Sequence, residues 1–238
     1  MTILNDAAEA RAVGARDATA RPSQRRCMAD SDSSAGARLS RAFDVRADPT
    51  TDAPVVAGFA SVTGIPYEMY DMFGPYVEVV EVDAFDTTLA ADPLVEFTLN
   101  HGAGGGIPMA HTRNGTLALS IIKDADETGL FYEANVDHSR TDVSDAVKAM
   151  ARGDLAESSF KFRIDLGMWS PDWTEYHIQR IDIHRGDVSA VNFGANPFTS
   201  VGVRELITPT LARVLFSDAD IARRVLFSDA DTRRRVVA

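Results

Sequence analysis

The sequence predicts an α+β chain that is mainly β: an antiparallel barrel or packed sheet with a few helices on its outside. Three observations lead there. Short runs of alternating apolar and polar residues recur between residues 55 and 193, separated by Gly, Pro, Asn and Asp. Helical spacing is clear at Thr141–Arg152, where Val143, Ala146, Val147 and Met150 fall on one face. Strands and helices do not alternate regularly, so a doubly wound parallel sheet is not indicated.

In chain order, residues 1–38 are rich in Ala, Arg, Asp and Ser and poor in large apolar groups. Such a segment buries too little surface to offset its ordering entropy, so it is expected to be a disordered leader or removable pro-segment, with at most a transient helix around Ala7–Val13. The folded part is expected to begin at Leu39–Arg46, where Leu39, Phe43 and Val45 suggest a strand. Val55–Val62 and Tyr76–Val82 read as further strands, with a loop at Gly64-Ile-Pro66 between them. Asp83-Ala-Phe-Asp86, followed by Thr87, Thr88 and Leu89, suggests a short capped helix. Val95–Leu99 is an apolar run that ends at Asn100-His101 and opens into a glycine-rich loop, residues 102–106.

Asn114-Gly115 marks a turn between Met109–Thr112 and the strand Leu117–Ile122, and Gly129–Val136 alternates again. Thr141 or Asp142 is expected to cap the helix that follows, and Gly153 suits the position after its end. Beyond the glycine, Phe160 and Phe162 alternate with Lys161 and Arg163, so Ser158 and Ser159 stand at the start of a half-buried strand. Trp169–Trp173 reads as a loop; Tyr176–Ile183 is a strand with one slip in its alternation, as at a β-bulge; and Asp187–Phe193 is a separate strand, with a short run at Val201–Val203. The tail, residues 205–238, carries Arg213-Val-Leu-Phe-Ser-Asp-Ala-Asp220 again as residues 224–231. That shift of 11 residues is close to three helical turns, which suggests a helical interaction tail; a duplication without function is the competing reading.

Charge narrows the partners. The chain carries −11 overall, but residues 39–201 hold 11 Lys and Arg against 25 Asp and Glu. So acidic a body argues against nucleic-acid binding, which requires phosphate neutralisation. Cys27 is the sole cysteine, so no intramolecular disulfide forms, and nothing around it in sequence lowers a thiol pKa. The first 15 residues lack the apolar core of a signal peptide and no stretch reads as a membrane span, so a cytoplasmic location is expected.

A serine hydrolase needs a nucleophile, a base and a group that orients the base. The histidines are His101, His111, His138, His177 and His184. A metal site built on His101 and His111 with Asp137 and His138 is the rival chemistry, but their spacing matches no compact zinc motif and no cysteine pair exists. The glycine run at 102–106 lacks the Gly-Lys-Ser/Thr ending and following helix of a phosphate loop.

An ordered set of motifs then stands out: Val56-Ala-Gly-Phe-Ala-Ser61; Glu78–Phe85 with Thr88-Leu89; Leu99-Asn100-His101; Thr112 with Gly115-Thr-Leu117; Arg152-Gly153-Asp154 before Ser159-Phe160-Lys161-Phe162; and Asp187-Val-Ser-Ala-Val191 before Pro197. Over residues 39–204 this series resembles the tailed-bacteriophage prohead (capsid maturation) serine proteases, relatives of the herpesvirus assemblins. The resemblance implies a herpesvirus-protease-like antiparallel barrel with surrounding helices. It implies a serine endopeptidase with Ser159 as nucleophile, His101 as general base and Asp187 as third member. His111 is the alternative third member, because assemblins use a second histidine. It further implies no cofactor or metal, the major capsid protein and scaffold as partners, self-association and self-cleavage, no nucleic acid and no membrane, and action in the host cytoplasm within the assembling procapsid. Two positions depart from the family pattern: Gly102 replaces an acidic residue after the histidine, and Lys161 replaces a small residue after Ser-Phe. Both departures, with the C-terminal repeat, favour the alternative of a catalytically silent assembly or scaffolding protein on the same fold.

Overall fold

The longest strand, Glu175–Val191, pairs with three other strands, and the larger sheet is arranged about it. In this computed structural model the described residues are 3–14, 17–23, 26–27, 54–103, 105–123 and 128–194, with 202–204. All belong to one compact unit, Met1–Arg204. The expected strand at Leu39–Arg46 and the tail with its repeat lie outside the described residues.

The elements in order are α1 (Ile3–Gly14), β1 (Arg26–Cys27), β2 (Val55–Val62), β3 (Tyr67–Asp71), β4 (Gly74–Val80), α2 (Asp86–Ala90), β5 (Glu96–Leu99), β6 (Ala110–His111), β7 (Leu117–Lys123), β8 (Thr128–Asn135), α3 (Thr141–Arg152), β9 (Glu157–Trp169), β10 (Glu175–Val191) and β11 (Gly202–Arg204). Short 3-10 turns cover Asn100–Gly102 and Thr112–Asn114. One sheet has seven strands in the order β1-β3-β4-β10-β5-β6, with β9 along the other side of β10; the second runs β11-β2-β8-β7. The fold is α+β and mainly β, but the sheets are open and no barrel closes among the described residues, so the barrel expectation is corrected. Nor is the larger sheet purely antiparallel: β10 runs parallel to β4 over Glu175–Ile178 and parallel to β5 over Asp187–Ala190.

The core lies between the sheets. Phe97 on β5 and Tyr132 on β8 bring their ring centroids within 5.3 Å, and both side chains are fully buried. Burying an aromatic ring of this kind stabilises by about 1.5–3 kcal/mol. Helix α3 adds Val143, Ala146, Val147 and Met150, the stripe read from sequence. It stops at Gly153, whose φ of 79° lies in the left-handed region that favours glycine. Its start differs from expectation. Arg140 occupies the N-cap without a side-chain cap, so neither Thr141 nor Asp142 caps the helix; the Arg140 guanidinium instead bonds Asp142 and the Pro108 carbonyl. The short helix α2 likewise begins after Phe85 without a side-chain cap.

Three further differences have physical causes. Residues 3–14 form a docked helix rather than a loose leader, because Arg11 is buried in the body of the protein. Its guanidinium makes two bonds to Asp71 (2.7 and 3.0 Å), donates to the Trp173 carbonyl and lies 4.5 Å from the Trp169 ring centroid. Strand β3, not expected from sequence, buries Tyr67, Met69 and Asp71 on one side; the inward aspartate, which broke the apolar alternation, is the partner of Arg11. Finally, the two expected strands at 176–183 and 187–193 are one strand. The chain passes from one stretch to the other through an irregular segment, with Arg185 at φ 60° and Gly186 pressed against β9.

Candidate active site

Period-two geometry sorts the side chains of the β9–β10 ladder. Ser159 is paired with Ser189 and Lys161 with Asp187, without a register shift between those pairs. Directly opposed residues in an antiparallel ladder project to the same side, as do residues two apart. Ser159, Lys161, Asp187 and Ser189 therefore share one face. Ser158, Phe160, Val188 and Ala190 share the other, toward the core. There the Ser158 hydroxyl is fully buried and bonds the Tyr132 hydroxyl at 2.8 Å, while Phe160 packs 5.5 Å from Phe85. Burial pushes the Tyr132 phenol well above its ordinary pKa, which the Ser158 contact only partly opposes, so it stays neutral. Ser158 is thus sealed in the core, whereas Ser159 is half-buried on the opposite face.

His101 comes to this face from β5. Thr98 lies beside Ser189 in the parallel β5–β10 register, and the strand ends one residue later. The chain then turns sharply, with Asn100, His101 and Gly102 all at positive φ (43°, 59° and 68°). Backbone of this kind costs on the order of 1–3 kcal/mol at a non-glycine residue and persists only where its surroundings hold it. Three contacts hold His101. Its backbone N–H donates to Ser189 Oγ at 2.8 Å. Its carbonyl accepts from Lys161 Nζ at 2.6 Å. Its ring Nδ1 lies 2.7 Å from Asp187 Oδ1. Ser189, itself fully buried, is fixed by Thr98 through the backbone carbonyl and the side-chain hydroxyl, each at 3.0 Å.

Asp187 is nearly buried and His101 partly exposed, so the carboxylate is enclosed while part of the ring faces solvent. Beside the start of β9, a cavity of about 490 Å³ is lined by Gly153, Asp154, Ala156, Glu157, Asn192 and Phe193. Glu157 precedes Ser159 by two residues and projects to the same face.

The other histidines lie elsewhere. His111 is on β6 opposite Glu96, and its Nδ1 accepts from the Arg113 N–H, fixing the turn at Thr112–Asn114. The group in contact with the His101 ring is Asp187, not His111. His177 bonds Glu81 and Glu175, and His184 Nδ1 accepts from the Leu94 N–H. Among the described residues no set of three His, Cys, Asp or Glu side chains is arranged to hold a metal ion. Sequence reasoning missed two contacts to His101, from Ser189 and Lys161. A signal was present, since both share the strand parity of residues already singled out.

The family model described as Caudovirus prohead serine protease matches residues 41–212. The chain belongs to that family. It is accordingly a serine protease of the phage prohead type. Neither the curated proteins nor the solved structures compared with it give a match. None of the described helices is long and apolar enough to cross a membrane.

Proposed function

We propose that Ser159 is the nucleophile, His101 the general base and Asp187 the residue that orients the base. In this reading the protein is an endopeptidase that cuts scaffold and capsid-protein segments, and its own terminal segments, inside the procapsid. The observation that carries the assignment is the 2.7 Å contact of His101 Nδ1 with Asp187, on the face of the ladder that also bears Ser159. A carboxylate can only accept, so Nδ1–H donates to Asp187 and the lone pair sits on Nε2. Nε2 then takes the Ser159 proton as Oγ attacks the scissile carbonyl, and Asp187 stabilises the resulting imidazolium. Collapse of the tetrahedral intermediate breaks the C–N bond, the leaving amine takes the proton from Nε2, and an acyl-Ser159 ester remains. Water, deprotonated by the same nitrogen, hydrolyses that ester and restores the enzyme.

Confinement supplies the rest of the reading. Within a shell, enzyme and substrate segments stay at high effective concentration, so weak substrate binding suffices for turnover. The test is intact mass spectrometry of the chain co-expressed with its capsid and scaffold partners, alongside labelling by a fluorophosphonate. Discrete truncations and a label on Ser159, both lost in Ser159→Ala, are the expected result. Truncations that persist in Ser159→Ala would assign the cutting to another enzyme or another residue. Unchanged masses and no label in the wild type would favour a silent assembly protein.

A further inference from the structure

We propose that Lys161 is a positioning residue for the histidine–aspartate pair, acting as a cationic clamp. The inference rests on the catalytic reading above only for its effect on turnover; the clamp itself is a statement about His101 and Asp187. One ammonium group reaches both members. Nζ donates to the His101 carbonyl at 2.6 Å and lies 3.3 Å from Asp187 Oδ2, leaving Oδ1 to the imidazole.

The arrangement follows from the ladder. Lys161 and Asp187 are cross-strand partners on one face, so the lysine stem starts beside the carboxylate and its head extends to the loop above. That loop needs such a contact. His101 sits at φ 59° between two other residues of positive φ, past the end of the strand Glu96–Leu99. Ser189 holds the N–H of this residue and Lys161 the C=O, so the backbone on either side of the catalytic ring is pinned from β9 and β10. The lysine side chain is about half exposed, so removing its charge does not empty the core. A small residue at this position would reach neither oxygen.

The experiment uses the full chain carrying Lys161→Met or Lys161→Arg, with two readouts. One is steady-state kinetics on a peptide containing a mapped cut site. The other is the low-field proton of the His101 Nδ1–H···Asp187 bond by NMR, assigned by its absence in His101→Ala. Loosening the base by a fraction of an ångström to one ångström predicts a fall in kcat of about 10- to 100-fold for Lys161→Met, with KM within about twofold of wild type. The low-field proton is expected to broaden or vanish in that variant. Lys161→Arg, which keeps a donor able to span both oxygens, is expected to recover the proton signal and most of kcat. An unaltered low-field proton in Lys161→Met overturns the clamp whatever happens to activity. A raised KM with unchanged kcat also overturns it, by making Lys161 a substrate contact. If the wild type is never labelled on Ser159 the catalytic reading fails, yet the proton signal still decides the clamp.

Discussion

Gly186 offers the sharpest test of how the site is assembled. Its φ is not in the left-handed region, so the requirement for glycine there is one of space alone. A Cβ built on it would stand 2.0 Å from the Lys161 carbonyl oxygen, 2.9 Å from the Ile183 carbonyl oxygen and 3.1 Å from the Lys161 carbonyl carbon. Ordinary contact between such atoms is about 3.5 Å, so Gly186→Ala leaves a deficit of about 1.5 Å against the backbone of β9. Backbone cannot rotate out of the way as a side-chain tip can, and β9 and β10 must separate locally. The next residue is Asp187, whereas His101 hangs from β5, so the separation falls on the bond between them. A misplacement of about 1 Å costs on the order of 100-fold in rate, and overpacking of this kind costs about 1–3 kcal/mol in stability. The assay is kcat on a peptide with a mapped cut site, paired with urea denaturation. Gly106→Ala is the control: that glycine is outside the positive-φ set and an added Cβ meets nothing within 4 Å. Wild-type kcat and stability in Gly186→Ala would refute the reasoning.

Two further predictions concern regions away from the site. Arg11→Ala strands the Asp71 carboxylate, which like Arg11 is only 1% exposed in its side chain, so a loss of about 3–5 kcal/mol is expected in urea denaturation; a loss below about 1 kcal/mol would show that α1 docks without structural consequence. His177 sits between Glu81 (2.7 Å) and Glu175 (3.1 Å); burial pulls its pKa down, but the two carboxylates outweigh that and raise it above its ordinary value. Because the folded-state value is the higher one, the stabilisation is fully present below the unfolded value of about 6.5 and is lost as pH rises through the folded value. The melting-temperature advantage of wild type over His177→Gln should therefore be larger at about pH 5.5 than at about pH 9, and an advantage independent of pH would contradict this.

Much of the local structure was legible in the sequence because it depends on spacing along a few residues. The stripe of α3 and its terminal Gly153 follow from helical periodicity and the left-handed stop. The slip expected within 176–183 appears as register shifts around Arg180. The turn at Asn114-Gly115 is present, with Gly115 at φ 71°. Alternation also separates Ser158 from Ser159, since neighbours on a strand face opposite sides. What the sequence could not supply was register between distant segments. Arg11 and Asp71 are 60 residues apart, and each taken alone reads as a surface charge. The continuity of β10, its parallel pairing with β4 and β5, and the failure of the described sheets to close depend on hydrogen bonds between strands far apart in the chain. The same is true at the site. His101 and Asp187 are 86 residues apart, and Lys161 reaches His101 across 60; only the alignment of β5, β9 and β10 brings the three together. Short-range periodicity decides which way a side chain faces, and long-range strand pairing decides what it meets there.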